Sequence, residues 1–197
     1  LLDADPTRPV LMASAWDHWY RAELDEADEA IASLLDPTAG AVGGADLPVL
    51  YMAVLSHAAS GRPVQPFADR IRAQARSDGG TTARAYAELA EGIECWEAGH
   101  LDKALAHANV ALECSQQMGA ALVTTLAASA RSVVLASMRD SRSAAAGVAA
   151  GLRGHLEAGR LAAVLSDLPM AAKVLTDLGE PELAATLLGV RSAGANR

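Results

Sequence analysis

"WEAGHLDKA" at residues 96–104 has a near twin in "WYRAELDEA" at residues 19–27. In both, a tryptophan lies eight positions before an alanine, and Leu24-Asp25 falls on Leu101-Asp102. Three further segments fit the same frame: "SGRPVQPFA" ending at Ala68, "ASMRDSRSA" ending at Ala144 and "TDLGEPELA" ending at Ala184. The anchor alanines are therefore Ala27, Ala68, Ala104, Ala144 and Ala184. They recur at intervals of about 40 residues, inside the period of about 34 to 47 residues that belongs to solenoids built of two-helix units.

The phrase reads as the hinge of a helical hairpin. One helix ends near the tryptophan. Gly99 then supplies a positive φ at little steric cost. Leu-Asp opens the next helix and places its acid in the first turn, where it complements the helix dipole. The anchor alanine sits one turn in, where two helices cross too closely for a larger side chain. Each hairpin leaves an apolar face bare, and a stacked neighbour covers it.

Five hairpins are predicted across a single domain spanning 1–197: 9–21 with 24–36, 46–60 with 64–77, 81–98 with 101–117, 119–138 with 141–157, and 160–178 with 180–189. In the third, Leu101, Leu105, Ala108 and Leu112 repeat at i, i+4, i+7, i+11, the spacing of one helical face. "DPTAGAVGGADLP" (36–48) and "SDGGTT" (77–82) are loops by composition. Pro181 suits the first turn of the last helix. Gly147, Gly151 and Gly154 weaken the second helix of the fourth pair, at roughly 1 kcal/mol each against alanine.

Composition agrees with an all-α chain. Hydrophobic residues make up 51% of the sequence, enough for a core, while aromatics are only 4%. Alanine and leucine carry the apolar load, and both favour helices. Of the formal charge of −8, all comes from residues 1–50, where ten acids face two bases; an acidic segment does not grip nucleic-acid phosphates. The "ELDEADE" run is read as a solvated helix face, with an acidic patch for a basic partner as the alternative. Cys95 and Cys114 have no third ligand nearby, fit neither zinc spacing nor a disulfide framework, and are read as buried free thiols. No signal peptide is visible, and the longest uncharged run, Cys114 to Ala130, is too polar for a membrane span. A cytoplasmic address is expected. The chain begins with leucine, and excision from a longer protein is expected from that.

Residues 85–118, "AYAELAEGIECWEAGHLDKALAHANVALECSQQM", resemble a tetratricopeptide repeat: Gly92, Gly99, Leu101, Ala104, Ala108 and Ala111 fall on its small and apolar positions. The C-terminal run "HLEAGRLAAVLSDLPMAAKVLTDLGEPELAATLLGV" (155–190) is similar to the end of the helical-repeat region of large bacterial, especially actinobacterial, signal-transduction ATPases with numerous domains, found in LuxR-type transcriptional regulators and in cyclase–ATPase fusions. The resemblance implies a right-handed α-α superhelix, a tetratricopeptide-like solenoid. It also implies a sensor or interaction module on which an effector or protein partner docks to release the ATPase from an inhibited state. Neither the ATPase nor a DNA-binding element lies within these residues.

Catalytic and cofactor motifs are weak. "AGAVGG" (39–44) lacks the lysine and the preceding strand of a phosphate-binding loop. His100 and His107 lie two turns apart on one helix, and a metal site there would need further ligands. Ser56-His57 is a dipeptide without an orienting carboxylate. No cofactor, metal or catalytic residue is assigned, and no enzymatic activity is expected.

The "AWDHWY" cluster (15–20) supports two readings. Trp19 belongs to the repeat core as Trp96 does; alternatively Trp16 and Tyr20, at i and i+4, form an exposed aromatic strip that docks a partner or a second copy of the chain. The expected ligand or partner surface is the concave face lined by the first helix of each pair, with Tyr51, His57, Tyr86, Glu94 and Arg131 as candidate side chains beside Trp16 and Tyr20. The expected function is a non-enzymatic module that binds an effector or protein partner and regulates a linked ATPase or transcriptional regulator. The alternative is a stand-alone adaptor for peptides, against which the scarcity of lysine and asparagine, two of each, counts. An all-helical enzyme is the third reading.

Overall fold

The structure, a computed structural model, describes residues 8–36 and 46–194. Among these there are ten helices and no strand: α1 (Arg8–Arg21), α2 (Leu24–Leu34), α3 (Leu47–Ser60), α4 (Gln65–Asp78), α5 (Thr81–Glu97), α6 (Leu101–Met118), α7 (Ala121–Ser137), α8 (Ser141–Glu157), α9 (Leu161–Asp177) and α10 (Pro181–Gly194). The glycine-rich loop at 39–44 lies outside the described residues.

The turns follow from local chemistry. Gly61, Gly79, Gly99, Gly119, Gly159 and Gly179 all have positive φ and each lies one or two residues past the end of a helix. At 99 the turn closes in the Schellman pattern, with the Gly99 N–H donating to the Trp96 carbonyl and the His100 N–H to the Cys95 carbonyl. The equivalent position is Ala22 in the first hairpin and Arg139 in the fourth, both left-handed at φ 63 despite their Cβ. Pro48, Pro66 and Pro181 sit in the first turns of their helices, where the missing N–H costs nothing.

Each anchor alanine is the fourth residue of an even-numbered helix, and all five are buried. Each donates its N–H to the carbonyl of the residue preceding its helix: Glu23, Val64, His100, Asp140 and Glu180. One structural frame therefore recurs five times, as the phrase in the sequence requires.

Consecutive helices pack on one another throughout, and α3 also packs on α5 and α5 on α7. No two even-numbered helices pack comparably among the described residues. The odd-numbered helices thus form an inner layer and the even-numbered ones an outer layer. The core is correspondingly serial rather than central: one cluster joins α1, α2 and α3, a second runs from α3 to α7, and a third joins α7, α8 and α9. Helix α3 is apolar around its circumference, because it touches α1, α2, α4 and α5.

One expectation needs correction, and one holds against its local propensity. The buried stripe of α6 is Ala104, Ala108, Ala111 and Ser115, not the leucines, which flank it half-buried. The small residues are where α6 meets α5: a Cβ on Gly92 of α5 would be in ordinary van der Waals contact, 3.6 Å from the Ala104 carbonyl oxygen. Helix α8 is continuous despite its three glycines. Gly147 lies against α7, where a Cβ would meet the Ser132 Oγ at 2.2 Å, so the missing side chain is what lets the helices touch.

Candidate functional site

The inner layer turns one stripe from each odd-numbered helix toward a shared cavity of about 370 Å³. Helix α1 supplies Trp16, Trp19 and Tyr20; α3 supplies Tyr51 and Leu55; α5 supplies Leu89, Ile93 and Trp96. Helix α7 contributes Leu126, Ser129 and Val133, and α9 contributes Asp167 and Met170. Within each helix these residues lie three, four or seven positions from the first of them, the spacings of a single face. All three tryptophans of the chain line this space.

An apolar concave face needs a cover, and α1 provides it by packing against α9, at the other end of the chain. The cover is aromatic. Trp16 and Tyr20 stack with centroids 5.6 Å apart, and Trp19 meets both edge-on at 6.0 and 5.4 Å. Trp96 reaches across to donate its indole N–H to Ser137 Oγ at 2.9 Å. The Trp19 indole nitrogen is buried without a partner.

The polar groups of the cavity gather at this α1–α9 seam. Asp167 is an acid in an otherwise uncharged run, "LAAVLSDLPMAA" (161–172). Burial pushes its carboxyl up to about 6. His155, from the last turn of α8, places Nε2 3.5 Å from Asp167 Oδ2, and its Nδ1 has no partner. Burial, and then the charge of Arg160, hold the imidazole below its ordinary value, so it is neutral at pH 7. The Tyr20 hydroxyl is pushed up to about 12, by burial first and then by Asp167, with Arg160 opposing. Arg160 itself is the residue preceding α9 and does not line the cavity. Ser129 shares the wall, but no hydrogen bond joins it to His155, so the three do not make an activated nucleophile.

The residues singled out in the sequence divide. Trp16, Tyr20 and Tyr51 are brought together in the cavity. Trp16 and Tyr20 are half-buried in the seam, not an open strip. Tyr86 is buried behind Tyr51, ring centroids 5.8 Å apart, and does not line the space. Glu94 instead forms an ion pair with Arg72 of α4. Arg131 donates to Asn109 Oδ1 at 2.9 Å, and His57 turns to the Pro63 carbonyl and packs edge-on against Phe67. Ser56 does have a carboxylate, donating to Asp28 Oδ1 at 2.7 Å, but His57 faces away from it. His155 and Asp167 were not predicted. Asp167 had a signal, a single acid within the apolar run 161–172; His155 had none, because its importance comes from contact with a helix it does not belong to.

His107 does not pair with His100, which lies in the turn before α6. Its Nδ1 lies 2.9 Å from Glu88 and 3.6 Å from Glu91, both on α5. Among the described residues these three are the group whose donor atoms converge closely enough to hold a metal ion, all within 4.8 Å. The histidine–glutamate hydrogen bond already satisfies the cluster without one, and Arg84 approaches Glu88 at 3.8 Å. Cys95 and Cys114 are free thiols, half-buried and buried.

Comparison of the chain with family models, curated proteins and solved structures finds no match. Among the described residues no helix is long and apolar enough to cross a membrane.

Proposed function

We propose that this chain is a non-enzymatic effector-binding module, a right-handed tetratricopeptide-like superhelix whose curl brings its first and ninth helices together around a small-molecule site. The carrying observation is the partly open, aromatic-lined cavity of about 370 Å³, within the range of roughly 300–1,000 Å³ used for small ligands. A solenoid that only stacked its repeats would have no need to turn three tryptophans, two half-buried and Trp96 exposed at the rim, toward one space. Occupancy would be felt where α1 meets α9, because ring atoms from one and the carboxylate of the other share the lining. The resemblance of residues 155–190 to the repeat regions of signal-transduction ATPases supplies the output: a cytoplasmic ATPase or LuxR-type regulator, linked in the same polypeptide, released when the module binds.

The test is differential scanning fluorimetry of the chain against a panel of amphipathic metabolites, followed by tryptophan fluorescence. A ligand at about 100 times its dissociation constant adds roughly 2.7 kcal/mol of stability, several degrees of melting temperature. Quenching or shifting of the tryptophan emission by the same compounds places them in the cavity. Compounds that raise the melting temperature without changing the emission would disprove the cavity site.

A second reading is favoured by the far end of the chain. Leu183, Leu188 and Val190 of α10 are exposed, and so are Leu156 near the end of α8, Leu161 at the start of α9 and Leu178 just after it. Such a surface suits a protein contact, in which case the chain acts as an adaptor or a homodimer. Sedimentation of the chain at increasing concentration distinguishes a dimer from a monomer.

A further inference from the structure

Among the described residues the lining of the cavity carries one carboxylate, Asp167, and no lysine or arginine. Around it stand aromatic rings from α1, α3 and α5. The faces of such rings are electron-rich and attract cations. His155 adds a second acceptor. His155 Nε2 lies 3.5 Å from Asp167 Oδ2, and Nδ1, on a side chain that is 7% exposed, has no partner; with the imidazole proton on Nε2, Nδ1 offers a lone pair. Arg160, the cation felt at Tyr20 and His155, is outside the lining and forms no ion pair with Asp167 among the described residues. Asp167 is half-buried, its side chain 28% exposed, and its contact with a neutral histidine is long; a charge partly removed from water is poorly compensated until a partner reaches it.

We propose that the effector is an organic cation, an amine or quaternary ammonium group on an apolar or aromatic body, with the cation at Asp167 and the body among Trp16, Tyr20 and Tyr51. This deepens the reading of the cavity as an effector site and rests on it. A neutral apolar molecule would leave the Asp167 charge uncompensated, and an anion would be repelled by it. The cavity is at the small end of the ligand-site range, so a body of one or two rings fits.

Three matched probes separate the chemistry: 4-phenylbutylamine, 4-phenylbutanol and 4-phenylbutyrate, titrated into the chain by calorimetry at pH 8. The amine is expected to bind about tenfold or more tighter than the alcohol, the gain of one good charge contact. The acid is expected to bind weakest. In Asp167→Asn the amine's advantage disappears while the alcohol still binds, which also shows that the variant is folded and its cavity intact. In the wild type the same advantage fades as pH falls through about 6, where the carboxyl takes up its proton. Alcohol or acid binding as tightly as the amine overturns the cation assignment and leaves the effector cavity in place. Retention of the amine's advantage in Asp167→Asn overturns the role of that carboxylate. Absence of binding by all three probes overturns the cavity reading and the cation assignment together.

Discussion

Ala27 and Ala104, one in the first hairpin and the other in the third, occupy one environment: each is the fourth residue of its helix, each is fully buried, and each N–H donates to the carbonyl of the residue before the helix. At both, a hairpin closes tightly enough that a methyl group fills the space. Overpacking such a site costs about 1–3 kcal/mol. Ala27→Leu and Ala144→Leu should each lose stability by that amount in urea unfolding, whereas Ala98→Leu, in an exposed turn, should stay within about 0.5 kcal/mol. Equal losses at all three positions would sink the shared frame.

The same frame marks two residues under backbone strain. Ala22 and Arg139 adopt the left-handed conformation that Gly99 and Gly179 occupy in the other hairpins. A side chain there costs roughly 1–2 kcal/mol, part of which glycine returns through its freer unfolded chain. Arg139→Gly and Ala22→Gly should therefore stabilise by about 0.5–1 kcal/mol, read from the shift of the urea midpoint. Gly99→Ala should destabilise by about 1 kcal/mol, although nothing lies within 4 Å of the added Cβ, so the loss measures backbone strain alone.

Asp167 makes the free protein's stability depend on pH. Its folded carboxyl titrates at about 6, above the ordinary 3.8, so the folded chain holds that proton more tightly than the unfolded chain does. Stability from this group is fully present below pH 3.8 and is lost as pH rises through about 6. Asp167→Asn removes the ionisable carboxyl and should stabilise the unliganded protein by about 1–2 kcal/mol at pH 8, discounted for the part of the side chain that water reaches. The gap should narrow steadily as pH falls below about 6 and close only near pH 3.8. His155 acts in the opposite direction, since its depressed value makes acidification below 6.5 unfavourable, and it does so in both proteins. Melting curves of the pair from pH 4.5 to 8 check this; a gap independent of pH means that Asp167 is ionised without penalty.

How much of this could be read from the sequence depends on the distance over which each feature is determined. The helix ends could be read because they are local. Gly99 and Gly119 adopt a conformation that glycine alone enters cheaply, and Pro66 and Pro181 suit a first helical turn. The anchor alanines could be read because a solenoid repeats its contacts at a fixed period. Trp16, Tyr20 and Tyr51 stood out as rare aromatics in an alanine-rich chain. The pairing of α1 with α9 could not be read, since it joins segments near opposite ends of the chain without a shared motif. His155 and Asp167 acquire meaning only from that seam. Glu94 and Arg131 misled because a charged residue on an inner helix is as readily held by a neighbouring helix, here through Arg72 and Asn109.

Gly147 tests the packing of α7 on α8 more sharply than any leucine does. In an isolated helix Gly→Ala would stabilise by roughly 1 kcal/mol. Here the new Cβ would meet Ser132 Oγ at 2.2 Å, and that hydroxyl is buried and already donates to the Ala128 carbonyl at 2.8 Å. The clash should outweigh the propensity, so Gly147→Ala is expected to destabilise by about 1–2 kcal/mol. With Ser132→Ala the nearest remaining atom is the residue 132 Cβ at 3.4 Å, a tolerable contact. In that background Gly147→Ala should become neutral or stabilising, which gives a coupling of about 1–3 kcal/mol in a double-mutant cycle. Additive effects would mean that α7 and α8 are further apart than the structure places them.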